Sequence, residues 1–199
     1  MSEGWERISC GAVSTFNKEA PISDVALVLR AAEFAAHKHR EQKRKGKSGR
    51  PYVGHCIEVA ALIADVGGVN DPTVLAAALL HDTVEDTKTT RDEVLREFGS
   101  AIDSIVGEVT DDKTQLRSVQ RELQIMHAPG MSGGAKLIKL ADKISNVREI
   151  GEDPPIEWDE ERCNTYFDWA KQVVDAIGRI NPELETLFAR TLDKSSGKP

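Results

Sequence analysis

An all-α domain is the fold this sequence predicts, and three observations predict it. Apolar residues recur at three- and four-residue spacing in nearly every segment, caps and breakers cut those segments to helix length, and no run alternates apolar with polar residues as a half-buried strand would. Of the 199 residues 40% are hydrophobic but only 5% aromatic, so Ala, Val, Leu and Ile must build most of the core. The length suits one domain with a substantial interior.

Each element has its own signal. Ser23 can cap a first helix in which Val25, Leu29, Ala32 and Ala36 recur, running to about Lys43. The glycine-containing basic run Gly46–Pro51 breaks it. From about His55, the residues Cys56, Val59, Ala60, Ile63 and Val66 line one face of a second helix that Gly67-Gly68 stops. Asp71 caps and Pro72 opens a third, expected to reach about Asp82. Thr90 to Glu93 has the spacing of a capping box for a helix that Gly99 ends, and Ser100 is expected to cap the next, with Ile102, Ile105, Val106 and Val109 inward. Further helices are expected over 116–127, 134–150, 159–178 and 182–192, with breaks at Ala128-Pro129-Gly130 and Asp153-Pro154-Pro155. The expected organisation is an N-terminal extension (1–22), a single helical-bundle domain (23–192) and a tail (193–199).

Composition narrows the function. Residues 1–22 show no basic segment followed by an apolar core, and the longest apolar stretch, Val74–Leu80, is too short to span a bilayer. Three scattered cysteines without a C-x-x-C pair argue against a disulfide framework or a thiolate zinc site, so a cytoplasmic setting is expected. The net charge of −7 disfavours nucleic acid, and no membrane partner is expected. Seven basic residues between Lys38 and Arg50 face one acid, Glu41, which makes a local +6 on a remainder of −13. A basic island on an acidic chain suits a small anionic ligand better than a long polyanion.

The third helix carries an anomaly. The apolar run Val74–Leu80 leads directly into His81-Asp82-Thr83-Val84-Glu85-Asp86. If helical geometry persists, these carboxylates lie within one turn of each other beside apolar neighbours, which is costly without a compensating cation or proton. The bland alternative is a solvated helix end. Two further residues tip the reading: His55 near the start of the second helix, and Asp142, which interrupts the apolar stripe Leu137–Ala141 one turn before Asn146. Two imidazoles and two carboxylates from three helices suit Mn²⁺, Fe²⁺ or Zn²⁺. Taken alone, Asp142 reads as an ordinary surface acid, His37 and His39 as solvent-facing or weakly steering anions, and His127 as a helix C-terminal residue.

The order His55…His81-Asp82…Asp142 resembles the HD superfamily of metal-dependent phosphohydrolases. Arg44-Lys45, Pro51–His55, the string Ala77–Thr87, Glu108–Lys113 and Lys139–Asn146 resemble, more narrowly, the hydrolase domain of the RelA/SpoT alarmone enzymes, and within it the stand-alone small alarmone hydrolases. The likeness spans roughly Val25 to Leu187. It implies that His55, His81, Asp82 and Asp142 hold one Mn²⁺, and that Glu85 and Asp86 position and activate water and manage proton transfer. It also implies that Arg44 and Lys45 contact the nucleotide, with Asn146, Tyr166 and more loosely Arg117 in the same pocket. One departure is visible: relatives carry proline after the first metal histidine, where this chain has Cys56, which is expected only to soften the helix start.

The implied reaction removes pyrophosphate from the 3′ position of guanosine tetra- or pentaphosphate. With the chain ending at residue 199, hydrolysis without synthesis is expected. Two rivals stand beside it: an HD phosphohydrolase acting on another nucleotide (a 5′-nucleotidase, an NADPH phosphatase or an adenosine-alarmone hydrolase), and a nucleotide-binding sensor without turnover. The sequence leaves the oligomeric state unassigned.

Overall fold

The computed structural model describes residues 23–197; the expected extension over 1–22 and the last two residues lie outside the described residues. Among the described residues there are ten α-helices and no strand beyond an isolated antiparallel bridge between Lys43 and Pro51.

Helix α1 (Asp24–Lys38) is capped by the Ser23 side chain, which accepts the Ala26 N–H. It stops five residues short of the expected Lys43. The chain beyond it folds back on itself instead, with Tyr52 N–H donating to the Gln42 carbonyl and Arg44 N–H to that of Arg50. Backbone groups bonded across this loop are not available for another helical turn. Helix α2 (Val53–Ala61) begins two residues before His55 and passes into a π-helical turn, Leu62–Val66, which ends at Gly67-Gly68. Cys56 therefore lies inside the helix, fully buried, rather than at its start.

Helix α3 (Pro72–Leu80) opens on Pro72 behind an Asp71 cap and ends two residues before the expected Asp82. Side chains take over its terminal carbonyls: His81 Nδ1 meets the Ala78 oxygen at 2.7 Å and Thr83 Oγ1 donates to that of Leu80 at 2.7 Å. A one-turn helix, α4 (Thr83–Asp86), then restarts. In α5 (Arg91–Phe98) Thr90 accepts the Glu93 N–H, but the reciprocal half of the capping box is missing because Glu93 pairs with Lys38 at 2.8 Å. Gly99, at φ +84°, occupies the cap position expected for Ser100, which is instead the first residue of α6 (Ser100–Val109). A backbone with φ +84° and ψ 171° is accessible essentially to glycine alone.

The remaining helices are α7 (Arg117–His127), α8 (Gly133–Glu152), α9 (Glu160–Ile177) and α10 (Pro182–Ser195), the last three residues longer than expected. Two helices organise the core. Helix α3 packs against α1, α2 and α6, and α8 against α2, α6, α9 and α10. Every residue of the run Val74–Leu80 except Leu75 is buried. Burying one such leucine contributes about 1.5–3 kcal/mol, so this run anchors the His81-Asp82 end of α3 firmly. Helix α8 is buried on all sides from Leu137 to Ser145, yet carries Lys139, Asp142 and Lys143 within that stretch. Among the described residues no helix is long and apolar enough to cross a membrane.

Candidate metal centre and active site

Several polar residues of α8 and its C-cap share a face. Lys139, Asp142, Asn146, Glu149 and Asp153 follow at three- and four-residue steps and line one side of a cleft of about 390 Å³. The end of α3 supplies Asp82, α4 supplies Glu85 and Asp86, the loop after α1 supplies Arg44 and Lys45, α7 supplies Arg117, and α9 supplies Tyr166. All the side chains expected to contact the nucleotide thus line one cavity, although Arg117 and Lys45 are exposed at its edge.

His55, His81 and Asp82 each offer a donor atom, the three lying within 4.8 Å of one another. Asp142 Oδ1 joins them, 3.3 Å from His55 Nε2 and 3.9 Å from His81 Nε2. His81 Nε2 is 3.0 Å from Asp82 Oδ2. Both Nε2 atoms are buried and, among the described residues, have no hydrogen-bond partner. Both Nδ1 atoms face away from the cluster and are held, His81 by the Ala78 carbonyl and His55 by Ser145 Oγ at 2.9 Å. Ser145 donates its proton to Glu58 at 2.6 Å, so it accepts from His55, which fixes the Nδ1–H tautomer and leaves Nε2 bare. Glu58 is in turn paired with Arg148 at 2.6 Å. Imidazoles oriented through the far nitrogen are the usual arrangement around a bound metal.

The carboxylates are held as firmly. Tyr52 donates to Asp82 Oδ2 at 2.6 Å, and burial together with Asp82 and Asp86 pushes its phenol well above the usual range, so it stays a donor. Asn146 Nδ2 donates to Asp142 Oδ1 at 2.5 Å and Lys143 to Oδ2 at 3.0 Å. Burial opposes the charge on Asp142, but Lys143 and His55 outweigh it and hold the carboxyl far below its ordinary value. Burial likewise opposes a charged His81, yet Asp82 and Asp142 push it up to about 9. Two buried carboxylates beside two imidazoles thus draw positive charge to one point. The donor set fits a divalent cation.

Glu85 and Asp86 diverge, because successive residues of α4 project about 100° apart around the helix. Glu85 Oε2 accepts the Asp111 N–H at 3.0 Å, and burial, with Asp82 and Asp111 nearby, raises its pKa to about 7. Asp86 is gripped at both oxygens, by Lys113 at 2.6 Å and by Gln42 at 2.9 Å. Arg44 donates to Asn146 Oδ1 at 2.8 Å, pairs with Glu149 and lies over the Tyr52 ring. Burial opposes the Arg44 charge and Glu149 more than restores it. Asp153 accepts the Lys47 and Ser48 N–H groups and presses on Gly46, where a Cβ would collide with it, so this loop is bound to the end of α8.

The sequence alone did not single out Tyr52, Gln42, Ser145, Lys139 or Lys143. The two lysines do leave a signal, since charges spaced four apart in an otherwise buried helix need a reason. His39, expected to face solvent, is 1% exposed. It lies just past the end of α1, where the chain turns inward.

A model of the HD domain matches residues 31–167. The mouse guanosine-3′,5′-bis(diphosphate) 3′-pyrophosphohydrolase MESH1 is 50% identical over 172 residues, covering 86% of this chain and 96% of its own. The human protein of the same name is 50% identical over 163 residues, covering 82% and 91%. A solved structure described as a metazoan ortholog of SpoT that hydrolyzes ppGpp superposes with a TM-score of 0.83 at 41% identity, over 85% of this chain and 95% of its own. The chain belongs to the HD-domain family, in the branch that holds the metazoan SpoT orthologs.

Proposed function

We propose that this chain is a guanosine-3′,5′-bis(diphosphate) 3′-pyrophosphohydrolase, a cytoplasmic enzyme that releases pyrophosphate from the 3′ position of guanosine tetra- or pentaphosphate. The observation that carries the reading is the convergence of His55, His81, Asp82 and Asp142, the two carboxylates lining a cleft walled by Arg44, Lys113, Arg117 and Arg121. High identity to proteins named for this activity supports the substrate.

In this reading His55, His81, Asp82 and Asp142 would hold one Mn²⁺, which would supply positive charge and Lewis acidity for phosphoryl transfer. Glu85, with a pKa of about 7, takes the proton of the attacking water. The new bond joins water oxygen to the phosphorus on the 3′ oxygen, the 3′ O–P bond breaks, the departing 3′ oxygen takes up the proton that Glu85 received, and the products are GDP or GTP and pyrophosphate. Asp86, clamped by Lys113 and Gln42, orients the water. Lys45 and Arg117 meet the phosphates as exposed cations, while Arg44 serves both the phosphates and Asn146. Tyr166, buried between Trp158 and Trp169 at ring distances of 5.8 and 5.3 Å, closes the aromatic end of the pocket around the nucleoside.

The test is turnover of a nucleotide panel by manganese-reconstituted protein with product identification. Pyrophosphate and GDP from guanosine tetraphosphate are expected. Orthophosphate alone, or preference for NADPH or a 5′-nucleotide, would overturn the substrate assignment.

A further inference from the structure

His39 is a buried imidazole for which the reaction above has no use. Its ring stacks on Tyr52 with centroids 5.0 Å apart and planes 30° from parallel, and its Nδ1 lies 2.7 Å from Gln42 Oε1. Among the described residues its Nε2 has no partner. The direction of these bonds follows from Asp86. A carboxylate only accepts, so Gln42 must turn its Nε2 toward Asp86 Oδ2 and its Oε1 toward His39, and His39 must donate from Nδ1. An amide free to flip would present oxygen to oxygen at Asp86. The same imidazole therefore fixes two chains of contact, through Gln42 to Asp86, and through Tyr52 to Asp82.

We propose that His39 and Gln42 are positioning residues for the hydrolysis: His39 locks the Gln42 amide and the Tyr52 ring, and through them the Asp86 and Asp82 carboxylates. The inference rests on the hydrolase reading above and deepens it. Lys113 is the other donor to Asp86, but it is exposed and its flexible stem sets distance better than angle; Gln42 sets the plane of the carboxylate.

Steady-state kinetics on guanosine tetraphosphate test it, with His39→Phe, Gln42→Met and the double variant measured beside the wild type. Phenylalanine keeps a ring against Tyr52 but cannot donate to Gln42. Outer contacts of this kind change activity by about 10- to 100-fold, so kcat is expected to fall about tenfold in each single variant with KM within twofold. The double variant should fall no further than Gln42→Met alone, because both changes release the same amide. Metal content by mass spectrometry should stay at one ion per chain in all three. Multiplicative losses in the double variant, a change in KM alone, or normal kcat in Gln42→Met would overturn the proposal. Gln42→Met, on a half-buried loop, decides the matter even if His39→Phe fails to fold. A wild type that leaves guanosine tetraphosphate intact would sink the hydrolase reading and this inference with it, whereas an active wild type with unaffected variants sinks this inference alone.

Discussion

Replacing Ser145 with alanine removes the acceptor that holds His55 Nδ1 and, at the same stroke, the donor that ties it to Glu58. Ser145 is 1% exposed, so bulk water does not replace the lost oxygen freely, and the cavity left by a hydroxyl is too small to admit an ordered substitute. His55 then keeps its place by packing alone, free to rotate or to take the tautomer that puts a proton on Nε2. Losing such an outer contact costs about 10- to 100-fold in metal affinity, which is about 1.4–2.8 kcal/mol. His81 is the internal control: its Nδ1 rests on a backbone carbonyl that no side-chain change removes. The assay is competition for Mn²⁺ against a chelating indicator, with the midpoint of thermal unfolding followed in parallel. An affinity within twofold of wild type would show that the serine does not orient His55, and the reasoning from tautomer to metal would fail.

Glu85→Gln should keep metal and fold but lose about 10²-fold or more in kcat. In the wild type, a base with a pKa near 7 gives activity that rises with pH through that region as Glu85 loses its proton; bound cation shifts the limb downward, and the variant should lack it altogether. A retained limb would assign it to another group. Arg44→Ala should raise KM at least about tenfold, as expected for a charge-assisted contact, and lower kcat as well, because Asn146 and then Asp142 lose their brace; an unchanged KM would remove Arg44 from the phosphate site. Gly99→Ala should cost about 1–3 kcal/mol through backbone strain alone, since no atom lies within 4 Å of where the new Cβ would sit, and an unchanged Tm would contradict this.

The sequence exposes some of these features and hides others for physical reasons. The apolar run ending at His81-Asp82 is legible because four ionisable groups at the mouth of a buried helix are expensive without compensation. Asp142 becomes legible only beside His55 and His81, since a single acid in an amphipathic stripe is unremarkable. Periodicity continues past the ends of α1 and α3 although the backbone there is claimed otherwise, after α1 by Tyr52 N–H on the Gln42 carbonyl and at the end of α3 by the neighbouring side chains His81 and Thr83 on the Ala78 and Leu80 carbonyls. Continued helix would carry His39 onto an exposed face, whereas the turn after α1 buries it. A serine after glycine looks like a cap, whereas Gly99 itself, at positive φ, takes the cap position and Ser100 opens the helix. Ser145 hides for a third reason: the contact that orients His55 comes from another helix, α8, and leaves no spacing of its own, while Glu58, three residues from His55 on α2, meets it only through that serine.

The central claim is that four side chains from three helices grip a single divalent ion. Anomalous diffraction from crystals grown with Mn²⁺, recorded at the manganese edge, tests it most directly. One peak per chain is expected, bonded to His55 Nε2, His81 Nε2, Asp82 Oδ2 and Asp142 Oδ1. A peak elsewhere, or one that leaves either histidine outside its coordination sphere, would contradict the account.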